Sequence, residues 1–258
     1  MASHFSTLGL SVETSDDFLA LAEQVADHCT TFDAPGGRYL HWSCPSGAEL
    51  WLQVGDGDSL DGMNPHFRGE SIVRVGLTAR IVRFDGNALD GAFEGWAEPS
   101  NDDPESGRYP FVFDAPDFRL HDELRVPAQL EVQVAAFAHH VSMFPSPEAY
   151  AASQSRKYKF ASKSFIPTGS FPTEGRKDQP AEARAMFTGH VRKAELRRNE
   201  LTGGPFWWAL VETLGGVFDV VIDPELVDEA PREDTVLSGS FWLSGRLCRS
   251  RPSDSRSG

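Results

Sequence analysis

The sequence predicts an α+β protein made mainly of antiparallel β-structure, in which a β-α-β-β unit is followed by two related β-rich units. Three observations predict this class. Short apolar strands separated by Gly and Pro turns fill most of the chain, one amphipathic stripe at helical spacing lies near its start, and one pattern of residues occurs twice. With 258 residues, of which 40% are hydrophobic, the chain is long enough to bury a substantial core.

Local signals predict the first unit, residues 1–70. Residues 4–12, with apolar side chains at Leu8, Leu10 and Val12, predict a strand. Thr14, with Asp17 three positions later, has the spacing of an N-terminal capping box, and an apolar stripe beginning at Phe18 predicts the helix that follows. Two strands complete the unit, at residues 39–42 and 48–54.

An internal repeat predicts the rest of the chain. The pattern Asn-x-Leu-x-Gly begins at Asn87 and again at Asn199, and an apolar strand ends in a Pro-containing turn at Asp114 and again at Asp223. This order suits two curled antiparallel sheets or five-stranded barrels of the OB type. The predicted segments are a β-rich unit at 71–144, a Pro-rich basic linker at 145–185, a second β-rich unit at 186–247 and a disordered tail at 248–258.

Charge is distributed unevenly along the chain. Residues 1–144 contain 8 Arg, no Lys and 23 Asp and Glu, so they carry a charge of −15, and the rest of the chain carries +1 of the net −14. This acidity argues against binding to duplex nucleic acid, because that affinity depends on neutralising phosphates. A basic segment interleaved with aromatic residues could bind an acidic partner or a single strand, or could pack along the acidic half of its own chain. Its candidate residues are Arg156, Lys157, Lys159 and Lys163.

Composition also bears on the cellular setting. The bias toward Arg, Ala, Gly and Asp is typical of a GC-rich bacterial genome. Three widely spaced cysteines do not form a disulfide framework, and neither a signal peptide nor an apolar run long enough to span a membrane is visible. We therefore expect a bacterial cytoplasmic protein that does not associate with membranes.

The first strand from His4, the helix after it and the hairpin ending Gly-Ala-Glu-Leu-Trp-Leu resemble half of a vicinal oxygen chelate (glyoxalase-like) module. In that superfamily a His on the first strand and a Glu on the fourth bind a divalent metal. The resemblance implies His4 and Glu49 as ligands, with His66 where a second module would begin, and a Zn, Fe or Mn centre for a glyoxalase- or dioxygenase-like reaction. Strand alternation instead predicts that Glu49 faces solvent, opposite Leu50.

The remainder of the chain resembles β-rich, OB-like bacterial domains, which implies no activity. Four aromatic residues on its strands are a candidate binding surface: Trp207, Trp208, Phe241 and Trp242. No Walker loop, dinucleotide fingerprint or nucleophile elbow is present, so no catalytic constellation is complete. We expect a non-catalytic binding or interaction protein with a protein or small-molecule partner, which could also self-associate. The alternatives are a metal-dependent enzyme and a binder of single-stranded nucleic acid.

Overall fold

The computed structural model describes residues 3–83, 87–100, 103–155, 157, 159–170 and 181–248. The protein is mainly β in this part of the chain. Its two α-helices are α1 (Ser15–Ala26) and α2 (Pro147–Ser153). Neither helix has the length or the apolar character needed to cross a membrane.

Four strands form an antiparallel N-terminal sheet in the order of the sequence. They are β1 (Thr30–Ala34), β2 (Gly37–Ser43), β3 (Ala48–Gly55) and β4 (Leu60–Phe67). The predicted helix and the β2–β3 hairpin are confirmed. Thr14 accepts a hydrogen bond from the backbone N–H of Asp17, and the Asp17 carboxylate accepts one from the backbone N–H of Thr14, which completes the capping box.

The predicted first strand at residues 4–12 is wrong. Its centre is a short 3-10 turn, Ser6–Leu8, which Gly9 ends in a left-handed conformation with φ 70°. A Cβ at Gly9 would lie 2.3 Å from the carbonyl oxygen of Gly204, so this segment packs against a loop and not beside a strand. The first unit is therefore one helix followed by four strands.

The sequence did not reveal β1 or β4. The residues of β4 include Gly62, Asn64 and Pro65, which are typical of turns. Gly62 has a structural use, because a Cβ there would lie 2.4 Å from the side-chain oxygen of Gln53 on the neighbouring strand. Tertiary packing thus overrides a local signal that favours a loop.

In the described part of the chain, nine further strands form one large sheet. Those before α2 are β5 (Val73–Val82), β6 (Gly91–Ala97), β7 (Pro110–Asp114) and β8 (Ala128–Phe144). Those after α2 are β9 (Ser164–Ile166), β10 (Arg184–Arg198), β11 (Pro205–Thr213), β12 (Gly216–Ile222) and β13 (Val236–Leu247). The predicted linker is thus partly structured, since it contains α2 and β9, and β9 pairs with β10.

The strand pairings of the large sheet close into two rings that share β8 and β13. The first ring runs β5-β6-β7-β13-β8 and returns to β5. The second ring runs β10-β11-β12-β8-β13 and returns to β10. In each ring one pair is parallel, β7 with β13 and β12 with β8. The two halves of the repeat therefore have the same pairing pattern, and each supplies one long strand to the other's ring.

The repeated asparagines have matching roles. The side-chain oxygen of Asn87 accepts a hydrogen bond from the N–H of Leu89 at 2.9 Å, and that of Asn199 accepts one from Leu201 at 3.0 Å. Each side-chain amide then donates to the N-terminal unit, Asn87 to Gln53 and Asn199 to the carbonyl of Leu8. Each repeat thus uses one hairpin turn to hold a piece of the first seventy residues.

One hydrophobic cluster runs through α1, the N-terminal sheet and both rings. Leu21 and Val25 of α1 belong to it together with Leu50 of β3. Stacked aromatic side chains fill the interior of the second ring, for example Phe187 and Phe241, whose ring centroids are 4.0 Å apart. Because the cluster is continuous, the N-terminal sheet and the rings share one core.

Gly69 is expected to be intolerant of any side chain. A Cβ there would lie 2.0–2.2 Å from the carboxylate atoms of Asp219, and that carboxylate is held by four hydrogen-bond donors and has no room to move. Gly69→Ala should lower the free energy of unfolding by about 1–3 kcal/mol, measured by urea denaturation. The matched control is Gly57→Ala, where nothing lies within 4 Å of the added Cβ. Equal stability of the two variants would contradict this packing.

Candidate functional site

One face of the N-terminal sheet carries polar and aromatic side chains and packs against β8 and β13. On β3 this face holds Glu49, Trp51 and Gln53, as strand alternation predicts. The expectation that Glu49 faces solvent is wrong, however, because the rings cover this face and leave Glu49 1% exposed. His66 of β4 is the cross-strand partner of Glu49 and is fully buried.

A buried hydrogen-bonded chain joins the sheet to the rings through His66. Its Nδ1 lies 2.8 Å from the hydroxyl of Ser244 on β13, and its Nε2 lies 2.8 Å from the side-chain oxygen of Gln133 on β8. Gln133 in turn donates from its Nε2 to the carboxylate of Asp219 at 2.8 Å. Because this bond fixes the Gln133 amide, Nε2 of His66 must carry the proton, and Nδ1 accepts from Ser244.

Asp219 lies at the inner end of this chain and is fully buried. Besides Gln133, its carboxylate accepts from the backbone N–H groups of Glu70 and Ser71 and from the indole N–H of Trp208 at 2.9–3.0 Å. Four donors compensate the loss of hydration that burial imposes on the carboxylate. The result is an anchor that fixes the connection from β4 to β5 onto the second ring.

Glu49 is the centre of a second cluster at the same interface. Its carboxylate oxygens lie 3.3 Å from nitrogens of His41, Arg68 and Arg246. Burial alone would raise the pKa of Glu49, but the contact with His41 and the nearby His66 and Arg246 outweigh it and lower the pKa to about 2. The carboxylate is therefore ionised across the physiological range.

Arg246 links Glu49 to another buried acid, Asp117. Nε of Arg246 lies 3.3 Å from one carboxylate oxygen of Asp117, and the other oxygen lies 3.3 Å from Nε2 of His121. The Arg246 guanidinium also lies over the ring of Trp51. Burial raises the pKa of Asp117, but His121 and Arg246 prevail and hold it below the ordinary value. The charges of this cluster are thus mutually compensated, which favours a structural role.

The structure brings Glu49 and His66 together but places His4 in a different group. The Nε2 atoms of His4 and His139 are 2.8 Å apart, and the His4 ring stacks on Trp242 at 4.2 Å. Both nitrogens of His66 already have partners, and two arginines contact Glu49. Within the described residues no three His, Cys, Asp or Glu side chains are arranged to hold a metal ion. The predicted ligand set therefore does not fit a divalent metal.

Ser244 is not a usable nucleophile, although its hydroxyl contacts His66. Ser244 is 1% exposed and His66 is fully buried, so no substrate can reach either side chain in this conformation. The histidine also contacts an amide, Gln133, where a Ser-His-Asp triad has a carboxylate. The chain from Ser244 to Asp219 joins layers of the protein and does not form a catalytic site.

The predicted aromatic surface is largely interior. Trp208, Phe241 and Trp242 are buried, and Trp207 is half-buried. They are buried because both rings close on themselves and the N-terminal segment covers the outer side of β13, where Trp242 contacts His4. These four residues therefore do not form an exposed binding face.

The predicted basic segment is in part neutralised by the protein itself. Arg156 lies outside the described residues. Lys157 and Lys159 are exposed, and the ammonium of Lys163 is 2.5 Å from the carboxylate of Glu212 on β11, which also pairs with Arg192. Lys163 thus packs on an acid of its own chain, in the C-terminal half and not the N-terminal half.

Two adjoining clefts, together called the acidic groove, were not predicted from the sequence. The larger has a volume of about 860 Å³ and lies between residues 9–13 and the turn 223–226. The smaller, of about 320 Å³, lies between residues 141–143 of β8 and residues 226–229. Among the described residues, no Lys or Arg lines either cleft. Their acidic residues are Glu13, Asp223, Glu225, Asp228 and Glu229.

Comparison with other proteins does not assign a family. No protein-family model, curated protein or solved structure matches the chain. Function is therefore inferred from the acidic groove and the buried clusters. Asp223, which the repeat pattern singled out, is the sequence signal that lies in the groove.

Burial of His66 is expected to make the protein sensitive to acid. Burial lowers the pKa of His66 from 6.5 to about 4, so between these pH values the unfolded chain binds a proton that the folded protein does not. Stability should therefore fall as pH decreases from 6.5 to 4, by about 3 kcal/mol from this residue. His66→Gln should flatten the dependence of the unfolding free energy on pH in this range, whereas His28→Gln, at an exposed position, should not. Identical slopes in the two variants would contradict this assignment.

Proposed function

We propose that the protein is a non-catalytic bacterial binding protein of the cytoplasm that docks a basic polypeptide segment in the acidic groove. The observation that supports this most directly is the groove itself, a surface concavity in the size range of ligand sites whose charged lining residues are all acidic. Acidic walls attract cationic ligands and repel anionic ones, which also agrees with the net charge of −14.

The architecture suits such a role. The strand order within each ring, a three-stranded meander closed by the β8–β13 pair, supports our proposal that the two repeats are OB-like units. OB-type barrels present loops around a rigid β-framework, and binding residues are commonly carried on loops positioned in this way. Two loops of the second ring, at residues 204–205 and 223–229, line the acidic groove together with the N-terminal segment and β8.

The other candidate functions have less support. A metal-dependent enzyme would need the ligand set of His4, Glu49 and His66, which the structure divides between two groups. A binder of single strands would need free cations beside exposed aromatic rings. The groove offers acids, and Lys163 of the basic segment is paired with Glu212. Neither alternative has a specific observation in its favour.

The proposal is tested by measuring the fluorescence anisotropy of a labelled peptide rich in Arg and Ser, with a Glu-for-Arg peptide of the same length as the reverse-charge control. The triple variant Glu13→Gln, Glu225→Gln, Asp228→Asn should weaken binding of the basic peptide about tenfold at low salt, since each exposed charge contact contributes about 0.5 kcal/mol.

The matched control removes three exposed acids outside the groove, with the variant Glu23→Gln, Asp56→Asn, Glu123→Gln. This variant has the same net charge as the groove variant and should bind the basic peptide nearly as well as the unmodified protein. Equal weakening in the two triple variants would show a nonspecific charge effect. That result, or no binding of the basic peptide at low salt, would overturn the proposal.

A further inference from the structure

The two rings are alike in construction, and the first ring shows how the outer side of a ring is covered. Its Asn87 turn binds Gln53 of β3, and in the turn after β7 the N–H of Arg119 donates to the hydroxyl of Tyr39 on β2 at 3.0 Å. That hydroxyl also donates to the carbonyl of Leu89 at 2.6 Å. The N-terminal sheet therefore fills the space between the hairpin turn and the acidic turn of the first ring.

The matching space on the second ring is only partly filled. Its Asn199 turn binds the carbonyl of Leu8, but the chain that follows, residues 9–13, is a single segment without regular secondary structure and not a sheet. Between this segment and the acidic turn 223–226 lies the larger cleft of the acidic groove. The second ring therefore has an open position where the first ring holds strands of its own chain.

An open strand edge borders this position. One edge of β8 pairs with β5 at residues 128–132 and with β12 at residues 135–137. Beyond Phe137 no strand in the described part of the chain pairs with this edge, although β13 follows the opposite edge as far as Phe144. Residues 141–143 of the open edge line the smaller cleft. An unpaired edge of this kind is a template for one more strand.

The acids of the two turns differ in their partners. In the first ring, Asp114 pairs with Arg83 and Asp117 pairs with Arg246. In the second ring, Asp223 caps its own turn by accepting a hydrogen bond from the N–H of Glu225. No Lys or Arg of the described chain forms an ion pair with the side chain of Asp223 or of Glu225. The acidic turn 223–226 therefore lacks the cations that its counterpart has, although at the far end of the groove Arg232 lies 3.9 Å from Glu229.

We infer that the acidic groove binds its ligand by strand addition. An extended polypeptide segment with Lys or Arg side chains pairs with β8 at residues 138–144, on the same edge as β12 and just beyond the residues that β12 pairs with. Backbone hydrogen bonds to the edge give affinity, and the cationic side chains reach Glu225 and Asp228. This inference rests on the proposed function and adds the binding mode and the ligand's conformation.

The test uses the full chain and three forms of one Arg- and Ser-rich peptide: unmodified, and N-methylated at either set of alternate residues. N-methylation removes backbone donors without changing charge. If a strand is added, one methylated form should bind about tenfold more weakly or worse, because the hydrogen bonds to β8 are lost, while the other binds nearly as the unmodified peptide does. Amide hydrogen exchange should show new protection at residues 138–144 and none at β1, which is a second edge strand.

The outcomes separate this inference from the proposed function. In one outcome the basic peptide binds, the triple groove variant binds it more weakly, and both methylated forms bind as well as the unmodified peptide. Strand addition is then overturned and the proposed function stands. If no basic peptide binds, both are overturned. If residues 138–144 gain protection with protein concentration alone, and light scattering shows a dimer, the occupant is a second copy of this chain and the basic-peptide assignment is overturned.

Discussion

The structure depends on how the polar face of the N-terminal sheet is satisfied when the rings cover it. β3 is buried along its whole length, yet β3 and β4 place Glu49, Gln53 and His66 on the covered face. Each therefore needs a partner from another element. Arg246 of β13 pairs with Glu49, Ser244 of β13 and Gln133 of β8 contact His66, and Asn87 of the first ring's hairpin turn donates to Gln53. The contact between sheet and rings is therefore specific as well as apolar. Shifting either strand by one residue would leave buried charges unpaired.

Features set by local chemistry could be predicted from the sequence. The capping box at Thr14 and the β2–β3 hairpin depend on residues close together in the chain, and both were found. Features set by tertiary contacts could not. The burial of Glu49 depends on contacts such as that with Arg246 of β13, 197 residues later, and β4 forms from turn-like residues because its neighbours require close approach at Gly62. The acidic groove arises from segments distant in sequence, so no local pattern marks it.

The repeat explains why one protein has both a closed and an open ring. Each half has a hairpin turn with an anchoring Asn, an acidic turn and a long strand. The long strand of each half is also part of the other half's ring. The N-terminal unit can cover only one ring with its sheet. It does so at the acidic turn of the first ring, where Arg246 and Arg83 meet the acids. It contacts the second ring through the segment around Leu8, through Phe67 at the end of β4, and through the connection held by Asp219, and none of these reaches the turn 223–226 with a strand. The difference between the rings lies in what the first seventy residues cover.

If the buried polar chain joins the sheet and the rings, they must open together. The most direct test is native-state hydrogen exchange, which compares the opening free energies of the backbone amides in β3 with those in the shared strands β8 and β13. A single cooperative unit predicts that the slowest amides of all three strands exchange with the same free energy, equal to that of global unfolding. If the β3 amides open at clearly lower free energy while β8 and β13 stay protected, the N-terminal sheet is a separate layer, and the role assigned to His66, Gln133 and Asp219 is contradicted.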